Sequence, residues 1–166
     1  MALLPVESAL SQVLASVNTA AHREPQWLGL GAALNHVLAE DVIATINVPA
    51  TDNSAMDGYA LRSADADKPL PVSQRIPAGA VGSALRPGTA ARIFTGATIP
   101  AGADAVAMQE NCRVVDAVVR VDGPLAPHQN IRAKGQDVTS GDRVLPAGRR
   151  LRPEDLGLLA SVGVAR

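Results

Sequence analysis

Aromatic side chains are almost missing from this sequence: Trp27, Tyr59 and Phe94 are the only three in 166 residues. Proteins that stack on bases need such rings, and a formal net charge of −1 gives no pull toward nucleic acid or an anionic membrane, so neither partner is expected. A single cysteine, Cys112, rules out an internal disulfide and fits a reducing compartment. It has no adjacent histidine to act as base, so it reads as structural, not nucleophilic. No pair among His22, His36 and His128 has metal-ligand spacing, and one thiol cannot build a thiolate zinc site. Runs of about 18 apolar residues are absent, and no basic region leads into a long apolar core near Glu7; the expectation is a soluble, cytoplasmic protein without a membrane span. The Gly29–Leu34 string G-L-G-A-A-L lacks the third glycine and the βαβ frame of a dinucleotide fingerprint.

What is present is punctuation. Twelve prolines and fourteen glycines are spread along the chain, which argues for short strands and turns over a helical bundle in one or two domains. Val6, Leu10, Val13, Leu14 and Val17 fall on one face of a helix expected over 5–17, and Leu34, Val37 and Leu38 on one side of a shorter helix over 31–39. Val42, Ala44, Ile46 and Val48 alternate as in a strand that Pro49 ends. Strands are also expected over 70–76, 92–95 and 104–109, with a hairpin over 113–121 turning near Asp116-Ala117. Pro153, Glu154 and Asp155 open a final helix, and Gly163 closes it.

The densest chemistry lies between Asn47 and Leu61, where two carboxylates, an amide and a hydroxyl sit between strand-like segments. Asp52, Asn53 and Ser54 suit side-chain bonds to backbone N–H groups, and Asp57-Gly58 supplies a turn in which Gly58 is expected to use its freedom of φ. The residues alone leave two readings: a well-made turn in which Asp52 and Asp57 cap backbone donors, or a reactive site. Within it, Asp52 is the better placed to cap, and Asp57 to project. Thr95 ends a strand where exposed N–H groups suit an anion, and reads equally as a β-branched strand residue beside an ordinary turn. Arg132, Lys134, Arg143, Arg149, Arg150 and Arg152 make the last third basic, suiting either an oxyanion or a solvated charged face.

Three strings carry a resemblance: D-N-S-A-M-D-G-Y-A from Asp52, T-G-A-T-I-P-A-G-A-D-A-V from Thr95, and N-I-R-A-K-G-Q-D-V from Asn130. Together they resemble the molybdopterin molybdenumtransferase family, the MoeA proteins and the E domain of gephyrin, over nearly the whole chain. Three positions depart from that pattern: Asn35-His36 stands where the family usually shows Gly-Arg, and Gln136 where it more often has Glu.

The resemblance implies that Asp57, Thr95 and Asp137 are catalytic, that Ser54 and Arg132 bind substrate, and that Asp57 is a ligand of Mg²⁺. The implied reaction inserts molybdate into adenylylated molybdopterin and releases AMP. The active site would lie at the interface of a homodimer, with molybdopterin adenylyltransferase acting upstream.

By pattern the fold class is α+β, mostly β. The resemblance refines it to an elongated β-rich lobe with N-terminal helices, built from 1–47 and 140–166, plus a compact mixed lobe over 48–139 inserted between its two ends. In the family a pterin-binding α/β domain and a C-terminal β domain follow, beyond these 166 residues, so the chain would carry half a site. A function of another class also fits the resemblance: a non-catalytic dimerisation or scaffold module.

Overall fold

The periodic apolar face at 6–17 does form a helix. In the computed structural model, which describes residues 4–18 and 24–166, helix α1 spans Val6–Asn18. A second helix, α2, spans Pro153–Ser161 near the other end. Between them run ten short strands: β1 (Val42–Ile43), β2 (Asn53–Ser54), β3 (Gly58–Leu61), β4 (Leu70–Ile76), β5 (Ala90–Ile93), β6 (Ala105–Met108), β7 (Cys112–Val115), β8 (Val118–Val121), β9 (Ile131–Arg132) and β10 (Arg143–Leu145). The architecture is mixed and mostly β, as composition and punctuation suggested.

Six strands form one curled sheet in the order β6-β3-β5-β4-β8-β7. All neighbours are antiparallel except β4 and β5, which run parallel. A parallel pair needs a crossover of about a dozen residues, and residues 77–89 supply it. The hairpin β7–β8 turns at Asp116 (φ 48°) and Ala117 (φ 60°), which places two consecutive residues in the left-handed region as a tight hairpin turn requires. Small and branched side chains pack on both faces of the sheet. Ala60, Ile76, Leu85, Ala91, Ile93, Ala97 and Val106 fill one side; Leu61, Ala66, Leu70, Ala90, Ala107 and Val119 fill the other.

The chain ends meet each other. β1 pairs antiparallel with β10, and a separate cluster of Leu145, Leu151 and Leu159 gathers Leu30, Ala33, Leu38 and Val42 around α2. This pairing overrides the helix expected over 31–39. Leu30–Ala33 makes one 3-10 turn; beyond it the backbone donors of Asn35 and Leu38 go to Leu151 and Arg149 carbonyls, at 2.9 and 3.0 Å, leaving no intrahelical ladder to form. Asn35 takes φ 67°, a left-handed conformation that asparagine, after glycine, tolerates best, which explains how it serves where the family usually has glycine. The strand expected up to Val48 is likewise shorter. Only Val42 and Ile43 join a ladder, while Val48 makes an isolated bridge to Val138.

Helix α2 matches its sequence signals. Arg152 N–H donates to Asp155 Oδ2 at 3.0 Å, Arg149 Nη2 donates to Asp155 Oδ1 at 2.7 Å, and Gly163 turns the chain at φ 83°. No helix among the described residues is long and apolar enough to cross a membrane.

Candidate active site

Strand β2 is only two residues long, yet it is held on both edges. On one side Asn53 and Ser54 pair with Arg132 and Ile131 of β9. On the other, Ser54 N–H donates to Ala97 O and Gly96 N–H to Ser54 O, both at 2.9 Å, and Asn53 bridges Thr98. The three strings that stood apart in sequence therefore meet here as adjacent backbone segments, with the Asp52–Tyr59 segment in the middle. Ser54 itself is buried, 1% exposed, and its hydroxyl donates to Met56 O at 2.6 Å. As placed, it shapes the loop that leads to Asp57.

Asp57 lies against Thr95. The Thr95 backbone N–H and hydroxyl both donate to Asp57 Oδ1, each at 2.8 Å. The sequence offered the Thr95 N–H to an anion, and the anion it meets is this carboxylate. The N–H bond, then the hydroxyl bond, hold the Asp57 carboxyl below its ordinary pKa against the opposing effect of burial, with a smaller contribution from the Arg92 charge. Asp57 is thus ionised at neutral pH. Both bonds fall on Oδ1, so Oδ2 receives none from the described residues.

Gly58 corrects an expectation. It is not at positive φ; it is the first residue of β3, and a Cβ built on it would lie 1.9 Å from the Ala107 carbonyl oxygen of β6. The glycine is needed for close backbone approach, not for turning.

On the β9 side Arg132 Nη2 pairs with Asp137 at 2.5 Å, both residues being part exposed. The guanidinium keeps donors beyond the one engaged. Asp52 caps as expected, though across the loop and not locally: its Oδ1 accepts the Lys134 N–H at 2.7 Å. Gln136, where the family more often has Glu, braces its own turn by accepting the Ala133 N–H at 3.1 Å.

Among the described residues no group of three His, Cys, Asp or Glu side chains gathers as a metal site. Asp57 offers one open carboxylate oxygen, and Mg²⁺ characteristically takes one or two protein carboxylates, with water and substrate phosphate completing the shell. The donor set fits that mode and no closed protein cage.

The pattern of the MoeA N-terminal region (domain I and II) matches residues 4–163. The chain belongs to the MoeA N-terminal region family. Molybdopterin molybdenumtransferase of Haemophilus influenzae is 41% identical over 167 residues, covering 98% of this chain and 41% of the relative. The Staphylococcus aureus (strain MSSA476) protein of the same name is 36% identical, covering 98% and 40%. A crystal structure of the molybdopterin biosynthesis MoeA protein from Pyrococcus horikoshii superposes with TM-score 0.90 at 35% identity, covering 99% of this chain and 45% of that one. The chain thus spans about two fifths of the length of the curated relatives it matches.

Within this MoeA region, the basic last third resolves into internal pairs. Arg143 bonds Asp41 and Arg150 Nε donates to Asn35 O at 3.2 Å, so these two brace the joined chain ends, while Arg149 and Arg152 pair with Asp155 at the start of α2. Only Arg132 of the set lies in β9 beside β2. Cys112 is half-buried, and burial, with Asp122 nearby, pushes its thiol up to about 11, in keeping with a structural role. His36 and His128 are exposed, and His22 lies outside the described residues.

Sequence reasoning passed over Arg92, Phe94 and Gln109. Arg92 stands over the rings of Phe94 and Tyr59, 4.5 and 5.2 Å from their centroids, and Arg75 covers the same Phe94 ring at 4.5 Å. The available signal was the i, i+2 spacing of Arg92 and Phe94, which puts both on one face of a strand.

Proposed function

We propose that this chain provides the N-terminal part of a molybdenum-inserting site in molybdenum cofactor biosynthesis, acting on adenylylated molybdopterin and molybdate with release of AMP. The observation that carries the reading is that the segments bearing Thr95, the partner of Asp57, and the Arg132–Asp137 pair flank β2 on its two edges. An ionised carboxylate with one oxygen open and a guanidinium with donors to spare suit a substrate whose reacting part is a phosphate or molybdate dianion.

In this reading, Thr95 fixes the orientation of Asp57, and Asp57 Oδ2 holds Mg²⁺ or the attacking oxyanion. Arg132 binds a phosphoryl or molybdate oxygen, and Asp137 keeps the guanidinium aligned. Mg²⁺ bound there would neutralise charge on the pyrophosphate as AMP leaves. The names of the relatives and their shared pattern support the same substrate class.

The proposal includes a homodimer, with the pterin held by a further domain of the whole protein. Helix α1 supports that assembly: Val6, Leu10, Val13 and Leu14 are 56–82% exposed, and no α1 residue joins the described core clusters. The pairing of β1 with β10 supports a unit built from 1–47 and 140–166, with 48–139 inserted. A cytoplasmic location and molybdopterin adenylyltransferase as the upstream enzyme belong to the same proposal.

The test is a chimera in which this chain replaces the matched region of the Haemophilus influenzae relative. Molybdate-dependent AMP release from adenylylated molybdopterin is expected from the chimera and not from these 166 residues alone, because in this reading the further domain holds the pterin in place. Asp57→Asn in the chimera keeps the shape of the side chain and removes its charge. It should lower turnover by about a hundredfold or more while leaving the melting temperature nearly unchanged. A fully active Asp57→Asn chimera would sink the assignment.

A further inference from the structure

A closed ring of contacts surrounds the backbone that presents Asp57. Arg92 Nη1 donates to Gly58 O at 2.9 Å, and Arg92 Nη2 donates to Gln109 Oε1 at 2.6 Å. The backbone N–H of the same Gln109 donates to Asp57 O at 3.0 Å. The ring thus runs from Asp57 through Gly58, Arg92 and Gln109 back to Asp57, and ties down both peptide carbonyls flanking the Gly58 Cα.

The guanidinium is itself immobilised between the Phe94 and Tyr59 rings, which use two of the three aromatic side chains in the whole sequence. β5 carries Arg92 opposite Tyr59 of β3, and Phe94 leads directly into Thr95. One guanidinium therefore connects the peptide after Gly58 with the segment that delivers the two Thr95 donors to the Asp57 carboxylate.

We infer that Arg92, braced by Gln109, is a positioning residue for Asp57: its planar fork sets the Asp57-Gly58 backbone so that the carboxylate meets the Thr95 donors with Oδ2 left outward. The fork matters more than the charge. A lysine has a single nitrogen on a flexible stem and cannot bridge the Gly58 carbonyl and the Gln109 amide while stacking between two rings. The consequence for turnover rests on the function proposed above; the clamp itself does not.

The clamp is tested by following the Thr95 amide proton by NMR in the 166-residue chain, as wild type, Arg92→Met, Arg92→Lys and Gln109→Ala. A charge-assisted bond holds that proton downfield. It is expected to move upfield in all three variants, with Arg92→Lys following Arg92→Met, while the amides of Ala91 and Val106 in the sheet centre stay in place. In the chimera, Arg92→Lys should lower kcat by about tenfold with KM within about twofold, the pattern of a lost alignment and not of lost binding. Gln109 is exposed, so its alanine variant decides the matter if an Arg92 variant does not fold.

An unmoved Thr95 proton in Gln109→Ala, or a Lys variant indistinguishable from wild type, overturns the clamp. A moved proton in a chimera whose Asp57→Asn form remains fully active keeps the clamp and sinks the function instead.

Discussion

The middle of the molecule and its joined ends are built on different terms. In the six-stranded sheet Ala60, Leu61, Ala90, Ala91, Ile93, Ala105, Val106 and Val119 are all 0% exposed, and small residues let neighbouring layers come close. At the ends the buried cluster is Leu145, Leu151 and Leu159, supplemented by ion pairs to Asp41 and Asp155, and α1 leaves Val6, Leu10, Val13 and Leu14 exposed. The candidate site takes its fixed parts from the first region: Asp57, Arg92 and Thr95 sit at strand ends of the dense sheet. The exposed α1 face, on which the proposed assembly rests, belongs to neither dense cluster. Dense packing is thus concentrated around the strands that carry Asp57 and Arg92, and looser construction is found where the chain ends join.

The sharpest way to break this contrast is Gly58→Ala. The added Cβ would meet the Ala107 carbonyl oxygen at 1.9 Å, a backbone atom of the adjacent strand that cannot rotate away. Relief requires separating β3 from the edge strand β6, to which it is paired over four registers by mostly buried residues. The expected loss is about 3 kcal/mol or more in urea denaturation, at or beyond the upper range for overpacking. A loss below about 1 kcal/mol would show that the sheet yields, and that its rigidity is not what holds Asp57.

At the ends the largest expected effect belongs to Asp155→Asn. Asp155 is 3% exposed and accepts from Arg149 and from the Arg152 N–H; the Arg149 bond is the first cause of its lowered pKa, with burial opposing. A carboxyl whose folded pKa is depressed contributes stability above its unfolded pKa, near 3.9, and loses it as pH falls through the lower folded value. Wild type should therefore melt above the asparagine variant at pH 7, and the gap should close below about pH 4. Arg149 Nε is already buried without a partner, which adds to the penalty of removing the charge it faces. A gap of equal size at both pH values would show that packing, not charge, is what Asp155 contributes.

Much of the sheet was legible because its signals are local. Leu70–Ile76 was bounded by prolines and alternation, and the Asp116-Ala117 turn and the start of α2 had the residue types those conformations need. The ends were less legible, since their structure is decided by partners about a hundred positions away. Leu34 and Val37 have helical spacing, but the donors of Asn35 and Leu38 find carbonyls at 151 and 149. The site was half legible. Asp57, Thr95, Arg132 and Asp137 were singled out by resemblance, yet no spacing rule could pair Asp57 with Thr95 across 38 positions or Asp52 with the Lys134 N–H across 82. Arg92 was invisible for a simpler reason: in a strand of mixed polarity, an arginine gives no hint that both its terminal nitrogens find partners within the chain.

The smallest expected effect makes the same substitution in the other region. Gly157 lies inside α2 on its exposed side, and a Cβ built there meets nothing within 4 Å. It is not among the positive-φ glycines, so alanine fits its backbone without strain. Glycine loses more conformational freedom than alanine when a helix forms, so Gly157→Ala should stabilise the chain by about 0.5–1 kcal/mol, with an unchanged denaturant slope. Gly58 and Gly157 each lie in a regular element at ordinary φ. One is excluded from change by an oxygen on the neighbouring strand, and the other is open to solvent. If Gly157→Ala were instead destabilising, another surface would have to cover that face of α2 in solution, and a stability that rises with protein concentration would identify it as a second copy of the chain.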